Sequence, residues 1–197
     1  MYSLISLRKN SIKMKKIVIP IFMCLLAINL QAQDDSTKDI NKEVVEHIID
    51  STLVLTLDST IKTLYSVISG EKGVERNWKL FNFLFKPEAK LIPSWKERKG
   101  TYEVRYMKPA DYIKNSGKWL VDNGFFEKEI HRKVNTFGNI TQVFSTYESF
   151  KSESDEEPFM RGINSIQLLN DGKRWWVVNI YWTQESYENL IPKEYLP

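Results

Sequence analysis

The segment 161–184, with the sequence RGINSIQLLNDGKRWWVVNIYWTQ, constrains the fold of this chain more than any other stretch. Two runs rich in β-branched and aromatic residues flank Asp171-Gly172, a dipeptide that favours the backbone of a tight two-residue hairpin loop. In the register set by such a loop, Asn164 lies opposite Asn179. The segment therefore predicts two long antiparallel strands with fixed pairing.

Both faces of this predicted hairpin are largely apolar, which is typical of strands that are covered on two sides. The face that holds the two asparagines also carries Ile166, Leu168, Trp175, Val177 and Tyr181. The other face carries Ile163, Trp176, Val178, Ile180 and Trp182. Buried amides need hydrogen-bond partners. The asparagine pair is therefore either an amide ladder within the sheet or the polar part of a binding wall.

Residues 1–32 have the features of a secretory signal peptide. Basic residues precede the apolar run 17–30, and Leu30-Gln31-Ala32 is a small-residue cleavage site. The apolar run is shorter than the roughly 20 residues that a membrane span requires. We expect residues 1–32 to be cleaved, with export to the periplasm or out of the cell and no stable membrane anchor afterwards. Translation begins at either Met1 or Met14.

The basic balance of the chain belongs to this leader. Five of the 28 basic residues lie in residues 1–32 and none of the 25 acidic ones do, which leaves 23 basic and 25 acidic residues and a net charge of −2. Nucleic acid is therefore not an expected partner. The single cysteine, Cys24, also lies in the leader, so the mature chain has neither a disulfide nor a thiol nucleophile.

Apolar periodicity places helices early in the mature chain and long strands late. Residues 33–56 are expected to be an N-terminal extension, helical from Asp39, and residues 57–197 a single domain. Capping residues and prolines delimit three helices, which are expected at 59–70, 76–85 and 109–124. Strands are expected at 89–95 and 101–107, followed by a hairpin over 125–150 around Gly138-Asn139 and then by the hairpin 161–184. This order predicts an α+β fold with a curved antiparallel sheet wrapped around the N-terminal helices.

Two stretches resemble the nuclear transport factor 2-like superfamily, which includes SnoaL-like cyclases, ketosteroid isomerase and scytalone dehydratase. They are the helix-to-strand entry from Arg76-Asn77-Trp78 to Leu91 and the terminal hairpin around Asp171-Gly172. The resemblance implies a cone with an apolar cavity and often a dimer formed through the sheet. Ketosteroid isomerase-like sites use a tyrosine with acidic residues inside the cone. No such set matches here residue by residue, so the isomerase activity is not carried over.

His131 is the candidate catalytic residue, because a histidine that faces a cone interior can act as a general base near neutral pH. The alternative is a histidine on the rim of the sheet among Glu129, Lys133 and Thr146. The only other histidine, His47, is expected on an exposed helix, so a zinc site is not expected. The sequence predicts no metal and no cofactor.

The candidate ligand-binding residues belong to the two hairpins. Sparse polar groups orient ligands in otherwise apolar pockets, and Asn164 and Asn179 would do so on an aromatic-rich wall. Tyr147 and Tyr181 could add hydroxyls, and Trp175 shares their predicted face, although aromatic residues at strand spacing often serve only as core.

These residues predict an exported protein that binds a small apolar molecule in the cavity of the cone. One alternative is a hydrolyase, cyclase or isomerase that uses the cavity histidine as its base. The other is a dimeric protein-interaction module without catalytic activity, in which two copies pair through the sheet.

Overall fold

The computed structural model describes residues 49–197 of the chain. The expected signal peptide, the helix from Asp39 and His47 lie outside the described residues. Between residues 49 and 197, no helix is long and apolar enough to cross a membrane.

Helix α1, Leu57–Ile68, forms the main contact between the helices and the sheet. It begins two residues before the predicted start, because the side chains of Thr56 and Ser59 each accept a hydrogen bond from the backbone N–H of the other. The apolar stripe predicted for this helix is buried, with Ile61 and Leu64 in the core. A single 3₁₀ turn, Ser51–Val54, precedes it.

The side chain of Arg76 fixes the segment between α1 and the next helix. It is 5% exposed, and its guanidinium donates to the backbone carbonyls of Ile68 at 3.0 Å, of Gly70 at 2.6 Å and of Leu120 at 2.9 Å. The carbonyls of Glu71 and Val74 also accept from it. One buried cation thus satisfies backbone oxygens from three parts of the chain, which would otherwise lie buried without partners.

Two further helical segments complete the helical side of the fold. Helix α2, Trp78–Leu84, is capped by Asn77 and ends directly before the first strand. The predicted helix 109–124 is present as α3, Pro109–Tyr112, a π-helical turn, Ile113–Gly117, and α4, Lys118–Asn123. The positive φ of 72° at Gly124 then lets the chain leave the helix for the sheet.

The sheet has six strands in the order β2-β1-β6-β5-β4-β3, and it is curved and unclosed. The strands are β1 (Phe85–Lys96), β2 (Tyr102–Val104), β3 (Phe126–Phe137), β4 (Ile140–Phe150), β5 (Met160–Asn170) and β6 (Trp175–Gln184). Neighbouring strands are antiparallel except β1 and β6, which are parallel. The helices pack on the inner face, so the predicted α+β architecture is confirmed.

The predicted register of the β5–β6 hairpin is wrong. Asn170 pairs with Trp175, so the loop holds four residues, 171–174, and a further irregularity follows between Gln167 and Leu168. The wider loop is held by the carboxylate of Asp171, which accepts from the backbone N–H groups of Lys173 and Arg174, each at 2.9 Å.

This register separates the two asparagines that were predicted to face each other. Asn164 pairs with Trp182, and Asn179 pairs with Gln167. Residues paired across antiparallel strands lie on the same face. Asn164 therefore lies on the inner face with the buried Ile166, whereas Asn179 lies on the outer face. The predicted amide ladder is absent from this hairpin.

The β3–β4 hairpin has the predicted two-residue turn, and its predicted register is confirmed from Phe137 back to His131. Ile130 is then an extra residue, because His131 pairs with Thr146 whereas Glu129 pairs with Tyr147. A bulge of this kind reverses the faces of all residues beyond it. Glu129 and Glu127 consequently face inwards, which corrects the predicted pairing of Glu129 with Glu148.

The outer face of the sheet is only partly covered, so the predicted burial of the β5–β6 hairpin on both sides is only partly correct. The C-terminal tail lies against this face, where Ile191 is buried and the Tyr195 ring meets that of Phe144. Val178 and Tyr181 are 39% and 44% exposed. Ile180, predicted on the same face as Val178, is instead buried on the inner face.

We predict that Arg76→Lys lowers the free energy of unfolding by about 2–4 kcal/mol, because an ammonium group cannot reach five carbonyls at once. Urea denaturation of the mature chain measures this. Arg98→Lys, in the exposed turn between β1 and β2, is the matched control and should change stability by less than about 0.5 kcal/mol. Equal stabilities of the two variants would show that the Arg76 guanidinium does not stabilise this segment.

Candidate functional site

A cavity of about 220 Å³ lies between the inner face of the sheet and the helices. Most of its wall is apolar or aromatic. The residues that line it are Leu64, Tyr65, Ile68, Phe81, Leu91, Tyr112, Ser116, Trp119, Leu120, Phe125, Glu127, Tyr147, Met160, Asn164, Ile180 and Trp182.

Glu127 is the only acidic residue of this wall. Its carboxylate accepts hydrogen bonds from Asn164 Nδ2 at 3.2 Å and from Ser149 Oγ at 3.4 Å. Burial among apolar groups raises the pKa of Glu127 to about 7, and these two hydrogen bonds only partly oppose that effect. Near neutral pH this carboxyl group can therefore take up or release a proton.

The bulge at Ile130 is the reason that the position of Glu127 does not follow from the alternation of its strand. Strict alternation from Val134 places Ile130 and Phe126 on the inner face, which is the expected place for apolar residues. The same alternation would also bury Lys128 without a partner. A buried, unpaired lysine is the signal in the sequence that the alternation breaks.

Asn164 is held by a chain of hydrogen bonds that runs from the cavity to the surface. Its Nδ2 also donates to the hydroxyl of Tyr65 at 3.1 Å, and that hydroxyl lies 2.7 Å from Ser145 Oγ. Ser145 donates to Glu129 at 2.5 Å, so the proton between Tyr65 and Ser145 comes from Tyr65. The chain therefore fixes which end of the Asn164 amide points towards Glu127.

Glu129 is the last group in this series of hydrogen bonds, and its carboxylate forms an ion pair with Arg132. Arg132 donates to one of its oxygens through Nε at 2.9 Å and through Nη2 at 2.5 Å, and Nη1 of the same guanidinium reaches Asp58 at 2.8 Å. Asp58 lies in the first turn of α1. The contact between Arg132 and Asp58 thus links β3 to α1 next to the cavity.

Two more tyrosines, Tyr112 and Tyr147, line the cavity. Burial and the nearby carboxylate of Glu127 raise the pKa of both hydroxyls, which therefore stay protonated. Within residues 49–197, no hydrogen bond to either hydroxyl lowers its pKa. Both hydroxyls are thus available to a ligand as donors or acceptors.

Gly162 leaves room for the Tyr147 ring. A Cβ built at Gly162 would lie 2.5 Å from the hydroxyl of Tyr147 and 2.5 Å from the carbonyl oxygen of Thr183. Any side chain at this position would displace Tyr147 or the neighbouring strand. The glycine therefore sets the position of this hydroxyl.

Of the residues predicted for the site, Asn164 and Tyr147 line the cavity. Tyr181 and Asn179 lie on the outer face, and Tyr181 lines a different groove, beside the C-terminal tail. Trp175 packs against the edge of the core without lining the cavity.

His131 does not face the cavity. It pairs with Thr146 on the outer face of the sheet, where Thr146 Oγ1 donates to the backbone carbonyl of Tyr195 at 2.6 Å. Its Nε2 is buried without a hydrogen-bond partner. His131 therefore does not lie in the cone interior, as the general-base hypothesis requires, and it pairs with Thr146 as in the alternative. Glu127 is the acidic group on the described cavity wall. In residues 49–197, no group of three or more His, Cys, Asp or Glu side chains could hold a metal ion.

We predict that the free energy of unfolding falls as the pH rises from about 5 to 8, with Glu127 responsible. Its folded pKa of about 7 lies above the ordinary value of 4.5, so in this range the folded state binds more protons than the unfolded state. Glu127→Gln should therefore be more stable than wild type at pH 8, by about 1–3 kcal/mol, and close to it at pH 5.

Urea denaturation at both pH values measures this difference. Glu156→Gln, on the exposed loop between β4 and β5, is the control and should follow wild type. A Glu127→Gln variant that loses stability equally at both pH values would contradict the burial of the carboxyl group.

Comparison with known proteins confirms the fold. No protein-family model and no curated protein sequence matches the chain. A solved protein of unknown function with a cystatin-like fold, from Nostoc punctiforme, is similar at 8% identity over 68% of this chain and 96% of that chain, with a TM-score of 0.50. An NTF-2-like protein of unknown function from Silicibacter pomeroyi is similar at 14% identity over 66% of this chain and 92% of that chain, with a TM-score of 0.46. At such identities the similarity concerns the fold alone: with a TM-score of 0.50, the Nostoc punctiforme protein shows that the chain shares the fold of that protein.

Proposed function

We propose that this chain is an exported protein that binds a small, mainly apolar molecule in the cavity between α1, α4 and the sheet. The observation that carries the proposal is Glu127, a carboxyl group placed in an aromatic wall. Asn164, Tyr112 and Tyr147 lie on the same wall and provide further polar contacts. The apolar remainder would contact the body of the ligand, and these few polar groups would orient it.

The burial of Glu127 supports a ligand rather than a purely structural role. Moving a carboxyl group from water into an apolar site costs free energy unless partners compensate for the lost hydration. Here the two hydrogen-bond donors leave its pKa well above the ordinary value. A structural residue could be leucine or glutamine without this cost, so the unfavourable placement is best explained by contact with a bound molecule.

Export is part of the same proposal and is supported by the sequence of residues 1–32, with its basic region, short apolar run and cleavage site. The mature protein would act in the periplasm or outside the cell. There it would meet small molecules that have not entered the cytoplasm.

A second candidate function is proton transfer on the bound molecule, as in a hydrolyase, cyclase or isomerase. One observation favours it: the pKa of Glu127, about 7, suits a general base or acid at neutral pH. The hydroxyls of Tyr112 and Tyr147 would donate to an oxygen atom that gains negative charge during the reaction. In this candidate Glu127, rather than the predicted His131, is the general base.

The third candidate, a dimeric interaction module, draws its support from the outer face of the sheet. Val178 and Tyr181 are exposed there, and Tyr102 at the far edge is 63% exposed. The C-terminal tail covers the neighbouring part of this face. The proposed homodimer would pair two copies through the uncovered part.

We predict that native mass spectrometry of the mature chain, purified from the periplasm of its expression host, detects a bound small molecule that denaturation releases. Ser116→Trp should abolish this binding, because Ser116 lines the cavity and an indole would occupy it. Ser154→Trp, in the exposed loop between β4 and β5, is the control and should retain the ligand.

The same spectra give the mass of the assembly and so distinguish monomer from dimer. A ligand-free wild-type protein, or equal retention by the two tryptophan variants, would contradict the binding proposal. A dimer without a bound molecule would favour the interaction module.

The proton-transfer candidate makes a separate prediction with nitrobenzisoxazole, an apolar probe that a buried carboxylate opens by removing its ring proton. Wild type should accelerate the opening, with a rate that rises through pH 7 as Glu127 ionises. Glu127→Gln should lose about a hundredfold or more of this acceleration, and His131→Gln should lose none. A pH-independent rate, or loss of activity in His131→Gln alone, would rule out Glu127 as the base.

A further inference from the structure

The cavity wall carries an uncompensated negative charge when Glu127 is ionised. None of its sixteen lining residues is a lysine, arginine or histidine. Seven are aromatic: Tyr65, Phe81, Tyr112, Trp119, Phe125, Tyr147 and Trp182. Aromatic rings present partial negative charge on their faces, so the whole wall favours positive charge at its centre.

Other poorly exposed carboxylates of the chain have a guanidinium partner, whereas Glu127 has none among the described residues. The side chain of Glu129 is 17% exposed and contacts Arg132 at 2.5 Å. The side chain of Glu185 is 15% exposed and contacts Arg161 at 2.7 Å. Glu127 has only an amide and a hydroxyl, at 3.2 and 3.4 Å. Its missing counter-charge is therefore a property of this position rather than of the fold in general.

The side chains around Glu127 do not supply a positive charge that could balance its carboxylate. Tyr65, Tyr112 and Tyr147 face it from α1, α3 and β4, and all three stay protonated and neutral because their pKa values are raised. Glu129, on the same face of β3, already pairs with Arg132. From β5 the neutral Asn164 faces Glu127, and the wall residues from α4 and β6 are not titratable.

Arg76 is a buried cation close to this wall. Its guanidinium donates to backbone carbonyls, among them that of the lining residue Leu120, and Arg76 itself is not a lining residue. Its charge thus serves the backbone behind the wall. A positive charge inside the cavity has to come with the ligand.

We propose that the molecule bound in this cavity is a small organic cation, a protonated amine attached to an aromatic or aliphatic body. Its ammonium group would donate to the carboxylate of Glu127 while the surrounding rings contact it through their faces. The inference rests on the proposed binding function and identifies the class of its ligand. A volume of about 220 Å³ is suited to a body of roughly one ring.

A neutral ligand would produce the opposite dependence on pH. A carbonyl compound would accept a hydrogen bond from protonated Glu127, so its affinity would fall as the pH rises through 7. An amine with a pKa near 10 stays protonated over this range and pairs with the ionised carboxylate, so its affinity would rise. The sign of the pH dependence therefore separates the two ligand classes.

The experiment is calorimetric titration of the mature wild-type protein with phenethylamine, phenethyl alcohol and phenylacetate, which share a single ring and differ in charge. At pH 8 we expect the amine to bind at least about tenfold more tightly than the alcohol, and phenylacetate to bind most weakly. From pH 6 to pH 8 the amine should gain up to about tenfold in affinity, following the ionised fraction of Glu127.

Glu127→Gln should remove both the preference for the amine and its pH dependence, while the alcohol still binds. Binding of the alcohol shows in the same experiment that the variant is folded. Glu156→Gln should behave as wild type.

Three results have distinct meanings. If the alcohol binds in the cavity and the amine binds no more tightly at pH 8, the cation inference is overturned and the binding function stands. If none of the three probes binds and no molecule co-purifies, the binding function itself fails. If the amine preference persists in Glu127→Gln, the cation site lies elsewhere and the inference is wrong.

Discussion

The extra residue Ile130 in β3 decides which side chains of this strand face the helices. After Ile130 in the chain, Arg132 and Val134 point to the inner face; before it, Glu127 and Glu129 do. A strand without the bulge would place the residues of β3 that precede Ile130 on the opposite face. The charge inside the cavity, and each function proposed from it, depends on this local irregularity.

The two carboxyl groups that the bulge turns inwards have different environments. Glu129 lies close to Arg132 and Asp58, and its charge belongs to a network that reaches the surface and joins β3 to α1. Glu127 lies two residues away, where aromatic side chains replace the guanidinium. The same type of residue thus forms an ion pair at one position and has a raised pKa at the other.

The surroundings of Glu127 are held rigidly. Tyr65, Ser145 and Glu129 fix the amide of Asn164 through hydrogen bonds with one direction of donation. Arg76 ties the end of α1 to α4 behind the cavity. Both connections join elements around the cavity through hydrogen bonds, so the fold itself positions the side chains of the cavity wall.

Much of the fold could be predicted from the sequence because its signals are local. Gly138-Asn139 and the alternation around Val134 gave the correct β3–β4 pairing near the turn. The face of Asn164 was predicted correctly because it follows from Ile166 within the same strand.

What the sequence did not reveal depends on single-residue shifts. A single extra residue in β6, Val178, lies between the pairs Leu168–Val177 and Gln167–Asn179 and moved Asn179 to the outer face. The bulge at Ile130 moved Glu127 to the inner face. Each shift exchanges the two faces of a strand while leaving its composition unchanged, so no count of apolar residues detects it.

The most direct test of this account is the ionisation of Glu127 itself. Carbon-13 NMR of the mature chain labelled at glutamate carboxyl carbons, with Glu127→Gln used to assign the signal, gives its pKa without any ligand. The account predicts a midpoint near pH 7, set by burial without a counter-charge. A midpoint at or below the ordinary value of 4.5 would show a solvated or charge-paired carboxylate and would contradict the proposed site.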